Sequence, residues 1–133
     1  MSTHSFIGIE SESGKIAGVY CHYDGYLEGV GDTLKNHYTN PDKIHELIGL
    51  GSLSILGEEI GEKQDFSDSE KSRAGQWTLA YHRDRGEELV IEEFDDMYSI
   101  EDKSGYEYLY VYTNMGLWMY KVNSASSPWL PLV

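Results

Sequence analysis

Positive charge is scarce in this sequence. Its 133 residues hold 10 Lys or Arg against 23 Asp or Glu, a formal net charge of −13. A chain of this length folds to a surface of roughly 7,000 Å², leaving one uncompensated negative charge per ~540 Å². That excludes direct binding to nucleic acid or to an anionic membrane, since both need a basic footprint. Basic protein surfaces, cationic ligands and metal ions remain. Cysteine is nearly absent as well: Cys21 stands alone, so there is no internal disulfide and the chain suits a reducing cytoplasm. In its apolar setting after Val19 and Tyr20, Cys21 is expected to be a buried thiol. No apolar run approaches the ~18 residues of a membrane span. The opening Met1-Ser-Thr-His-Ser has neither the basic nor the apolar region of a secretory signal, so a cytoplasmic location is expected. Neither a Gly-x-x-x-x-Gly-Lys-Ser/Thr loop nor a Gly-x-Ser-x-Gly elbow occurs. The glycine-dense loop from Gly25 to Gly31 precedes a helix, where an anion can sit. Glu28 and Asp32 flank it without a base, which disfavours phosphate.

What is present suits a folded domain. Apolar residues make up 40% and aromatics 13%, and the length fits one domain, expected over 1–123, with a tail over 124–133. Residues 5–22 predict a hairpin turning around Ser13-Gly14. Asp32, ahead of Leu34 and Tyr38, predicts a helix N-cap. Asn40-Pro41 ends that helix and starts another, with Asn40 as cap and Pro41 in the first turn. Ile44, Leu47 and Ile48 share one face of it, and Gly49 and Gly51 stop it. Residues 61–75 are polar and of mixed charge, and predict a mobile loop. Trp77-Thr-Leu-Ala-Tyr81 alternates like a strand. A second hairpin is predicted from Tyr106 to Val122 around Asn114-Met-Gly116. The expected fold is α+β: an antiparallel sheet of about five strands with two short helices, in the order β-β-α-α-β-β-β.

Two segments repeat a spaced pair: Tyr20-Cys-His22-Tyr-Asp24-Gly-Tyr26 and Tyr81-His82-Arg-Asp84-Arg-Gly86. Residues two apart on a strand share a face, so each His and Asp can share a proton or a ligand. If the strands were neighbours, two imidazoles and two carboxylates would converge, as a divalent ion requires. Asp before Gly is also ordinary turn chemistry, and the plainer reading of the pairs is as structural turns. His22, Asp24, Tyr26, His82 and Asp84 are therefore ligand-binding candidates. No catalytic residue, metal ligand set or cofactor is assigned.

The acids concentrate in residues 87–102. Glu87, Glu88, Glu92, Glu93, Asp95, Asp96, Glu101 and Asp102 put eight carboxylates in sixteen residues with no base among them. The segment reads as a solvated face or as a surface for a basic partner. Duplex DNA carries one charge per ~1.7 Å of axis. Sixteen residues of strand spread eight charges at one per ~6 Å, and a helix at one per ~3 Å. Mimicry of a duplex would need further acids such as Glu58, Glu59, Glu62, Asp65, Asp68 and Glu70.

Tyr106, Tyr108, Tyr110 and Tyr112 occupy alternate positions and are expected on one face, opposite Leu109 and Val111. Stacked bases are excluded there, because only Lys103 and Lys121 lie near. The ladder reads as half-buried sheet or as a protein-binding patch. The tail, with Trp129, Leu130, Leu132 and Val133, reads as docked on its own domain or on a second copy, a homodimer.

Val19-Tyr-Cys-His-Tyr-Asp-Gly-Tyr26, Gly29-Val-Gly31, Leu34, His37-Tyr38, Leu50-Gly51, Leu56-Gly57 and Ala80-Tyr-His-Arg-Asp-Arg-Gly86 carry a resemblance. Over roughly residues 5–122 the chain resembles a group of small acidic proteins of bacteriophages and prophages. The resemblance carries over no catalytic residue. It implies a setting in the host cytoplasm, where such proteins disable host defence or redirect host machinery. The expected function is a non-enzymatic inhibitor that binds a basic surface of a host protein, such as a nuclease, through the acidic segment, with partial nucleic-acid mimicry as an extension. The alternative is a small-molecule or metal-ligand binder, or a small enzyme, built on the His-x-Asp pairs.

Overall fold

A computed structural model describes residues 2–100, 105–124 and 127–133. The first predicted hairpin forms as β1 (Ser5–Glu10) and β2 (Ile16–Cys21), paired antiparallel from Ser5↔Cys21 to Glu10↔Ile16. Gly14 reverses the chain at φ +90°, a conformation that costs glycine nothing. A tight turn over Leu27–Gly31 runs straight into α1 (Asp32–His37), so Asp32 is the first helical residue and not the cap. α2 (Pro41–Gly49) begins as its sequence predicts, with the Asn40 side chain accepting from the Asp42 N–H at 2.9 Å. Then follow β3 (Leu53–Ile55), α3 (Glu70–Arg73), β4 (Leu79–Ala80), α4 (Tyr81–Arg85) and β5 (Glu92–Phe94). The second hairpin is β6 (Tyr108–Tyr112) and β7 (Trp118–Val122), and the tail adds β8 (Leu130–Pro131).

The class is α+β, but the sheet is neither antiparallel nor five-stranded. Among the described residues eight strands run in the order β4-β3-β2-β1-β6-β7-β8, with β5 also on β2. β1 lies parallel to β6, and β2 meets β3 in parallel. Each hairpin is antiparallel within itself; the mixture arises where the second docks beside the first. The strands missed by pattern, β3, β5 and β8, have two or three residues each, too few for a period to register. Among the described residues four α-helices replace the expected two, and α4 takes Tyr81 from the predicted strand. The segment 61–75 holds α3 and is tied in by Gln64, whose side chain donates to Ser72 Oγ at 2.8 Å and to the Thr78 carbonyl at 3.0 Å.

Both sheet faces are covered, which is why the middle of β1 is buried throughout. One face packs Ile7, Val19, Leu34, Ile44, Leu47 and Tyr110 under α1 and α2. The other packs Phe6, Ile16, Leu109, Val111 and Ile100, with Phe94, Met97 and Trp129 against them. Gly18 matters here, because a Cβ on it would stand 2.3 Å from Cζ of Phe6. The tyrosines divide: Tyr108, Tyr110 and Tyr112 join the helix side, whereas Tyr106, before β6 begins, joins the other. Cys21 is buried, and burial pushes its thiol up to about 12. The tail folds back on its own sheet, and the buried Lys121 ammonium donates to the Ser124 carbonyl at 2.9 Å and to that of Ser127. Among the described residues no helix is long and apolar enough to cross a membrane.

Candidate functional site

The first His-x-Asp segment separates its two members. Tyr20 and His22 point the same way along and just beyond β2, and the Tyr20 hydroxyl lies 2.5 Å from His22 Nδ1. The His4 ring stacks on His22 at 4.7 Å, the Tyr23 ring meets His22 edge-on at 4.5 Å, and Ser2 Oγ lies 3.1 Å from His4 Nε2. Burial, then the neighbouring His4, lowers the His22 pKa. Burial raises that of Tyr20. Asp24 takes no part. Its backbone turns at φ +59°, and its carboxylate accepts from the Tyr26 hydroxyl at 3.2 Å on the exposed side. That carboxylate in turn raises the Tyr26 pKa. The turn is held by backbone: Gly25 N–H donates to Thr3, Val30 N–H to Asp24, and the buried Tyr110 hydroxyl donates to the Gly25 carbonyl at 2.7 Å.

The second segment lies on α4 and not at a strand end. Two residues along a helix point to nearly opposite sides. His82 faces solvent, with Nδ1 2.6 Å from the Glu87 carbonyl oxygen. Asp84 faces inward with a side chain 0% exposed. Its carboxylate accepts from Ala80 N–H at 2.8 Å, Gln64 N–H at 3.0 Å and the Arg83 guanidinium at 2.9 and 3.1 Å. Arg83 also donates to the carbonyls of Ile60 and Thr78. Asp84 is thus a fastener among α4, β4 and the chain around Gln64. The proposed convergence of two imidazoles and two carboxylates does not occur: among the described residues no three His, Cys, Asp or Glu side chains gather as a metal site.

His4, which composition and motif do not single out, joins Tyr20 and Tyr23 around His22. The hairpin register holds the signal for it, since Ser5↔Cys21 extended by one position sets His4 across from His22.

In the second half of the acidic segment three apolar residues pack inward while most of the acids face outward. Phe94, Met97 and Ile100 close the second apolar cluster, while Glu88, Glu93, Asp95 and Asp96 are exposed. Glu87 pairs with Arg85, and Glu92 accepts from the Tyr106 hydroxyl, whose pKa is raised by burial and then by that carboxylate. Asp96 caps the short turn over Met97–Ile100, accepting from Ser99 N–H at 2.9 Å. Glu101 and Asp102 lie outside the described residues. The chain is extended through β5, where Glu92 and Glu93 take the wider of the two spacings considered, and it coils into a short helical turn over Met97–Ile100. Leu89 and Val90 are each 45% exposed between the acids.

Beside this segment a groove of about 1000 Å³ opens between α2 and the end of the sheet. Ile9 and Ile48, both buried, and the half-buried Tyr112 give it an apolar lining, and Ile91 and Phe94 bring the acidic segment to its edge. No family model matches this chain, and neither a curated protein nor a solved structure matches it.

Proposed function

We propose that this protein is a non-enzymatic inhibitor of bacteriophage origin that occludes a basic surface on a host protein. One observation carries the reading: the segment buries Phe94, Met97 and Ile100 and thereby presents Glu88, Glu93 and Asp95, none of which takes part in an ion pair among the described residues. Unneutralised carboxylates on and beside β5 steer a basic partner into place. The extended course favours occlusion by charge complementarity over a replica of a duplex, and mimicry enters only in so far as the target's basic site normally meets phosphate. Nuclease-like host proteins fit this description.

Affinity capture from host lysate at about 50 mM and about 500 mM salt tests it, because exposed charges are screened within ~14 Å and ~4 Å respectively. A basic host protein retained at low salt, released at high salt and lost from the Glu88→Lys/Glu93→Lys/Asp95→Lys variant is the expected result. Retention indifferent to salt and to charge reversal overturns the reading. The stacked His4 and His22 rings support a second reading, a small-molecule site beside Tyr20 and Tyr23. His22→Ala separates the two, since it removes that site and leaves the acidic strand untouched.

A further inference from the structure

The groove beside β5 combines an apolar lining with a rim of one charge. Glu10, Glu12, Glu93 and Asp95 line it together with only two groups able to carry positive charge, Lys15 and His45. None of the four carboxylates joins an ion pair among the described residues. Its volume stands at the upper end of the roughly 300–1,000 Å³ of small-molecule pockets, enough for several side chains of a peptide. The exposed Leu89 and Val90 continue the apolar surface outward. Among the described residues no backbone–backbone hydrogen bond engages Glu88, Leu89 or Val90, and the Val90 backbone lies against Gly51.

We propose that this groove seats a peptide segment of the basic partner, carrying a large apolar side chain flanked by lysine or arginine. The inference rests on the acidic-face reading and locates its anchor point: the carboxylates select the flanking cations, and the apolar lining takes the central side chain. Charge alone gives a fast, weak, salt-sensitive encounter; seating the apolar group slows release.

The test uses the full chain and a short fluorescent peptide of lysines with one phenylalanine and one leucine at alternate positions. A matched peptide has serine at both apolar positions. The blocking variant is Gly49→Phe. Gly49 is the last residue of α2, is exposed, lines the groove, and has nothing within 4 Å of an added Cβ, so the new ring enters the groove without displacing the core. Unchanged circular dichroism confirms that the variant folds. The apolar-containing peptide is expected to bind at least about tenfold more tightly than its serine form, and Gly49→Phe to remove that advantage. Glu93→Lys weakens both peptides and lowers their salt dependence, while Glu70→Lys on α3, outside the groove, changes neither.

If both peptides bind equally, with salt dependence, and Gly49→Phe changes nothing, the groove is not the anchor and the acidic-face reading stands by itself. If neither peptide binds at low salt, the groove proposal is overturned, and lysate capture decides the broader reading separately. A protein that self-associates in solution and becomes monomeric on Gly49→Phe overturns it too, assigning the groove to a second copy.

Discussion

His22-Tyr-Asp24 and His82-Arg-Asp84 present the same spaced pair, and the fold uses them in opposite ways. In the first the histidine is the engaged member, stacked on His4 and bonded to Tyr20, while Asp24 sits in an exposed left-handed turn. In the second the aspartate is engaged, buried under a guanidinium and two backbone N–H groups, while His82 faces water. The difference comes from what carries each pair. A chain leaving a sheet keeps its alternation until the turn diverts Asp24, whereas a helix sends the two members to opposite sides at once.

The contrast can be broken most forcefully at Asp84. Asp84→Ala leaves the part-buried Arg83 without its carboxylate and frees two backbone donors, and removing one partner of a buried pair costs about 3–5 kcal/mol. Chemical denaturation measures this, and a cost below ~1 kcal/mol would mean that Asp84 is not a fastener. Next is Tyr110→Phe, which strips the hydroxyl from the buried bond holding the Gly25 carbonyl; about 1–3 kcal/mol is expected, with loss of order in the turn around Asp24.

The pH dependence is smaller and has a definite sign. The His22 pKa is lowered in the folded state, so the unfolded chain binds more protons there. The corresponding stability is present above the unfolded value of 6.5 and is lost as pH falls through it toward the depressed folded value. His22→Gln should flatten that part of the stability profile, and an unchanged slope would show that the stacked rings do not couple folding to protonation. The smallest effect is expected at Asp24→Gly, within about 0.5 kcal/mol, since relief of the left-handed backbone offsets the loss of the Tyr26 bond. A large loss there would restore Asp24 as a structural or ligand-holding group.

Much of the fold was legible because it depends on near neighbours. Ser13-Gly14 and Asn114-Met-Gly116 place both hairpin turns, and Asn40-Pro41 places the start of α2, each through the conformational needs of a few adjacent residues. The parallel contact of β1 with β6 was not legible, since Ser5 and Tyr108 meet only after the intervening chain has folded. The alternation of Trp77 to Tyr81 pointed to a strand, which forms over Leu79–Ala80 and is cut short by a local contact: Asp84 reaches back to Ala80 N–H where α4 starts at Tyr81. Of the candidate site, the acidic strand was visible as composition. The groove beside it was not, because Ile9 of β1, Ile48 of α2 and Ile91 just before β5 are distant in sequence.

The sequence by itself determined the sign of the charge and its concentration in residues 87–102, because ionisable groups keep their charge at the surface wherever the chain goes. Tertiary structure alone decided which carboxylates are spent inside, as Asp84 is, and which stay exposed and outside any ion pair among the described residues, as Glu88, Glu93 and Asp95 do. Burial and pairing depend on residues distant in sequence meeting across the sheet, and no short pattern encodes which of them will meet.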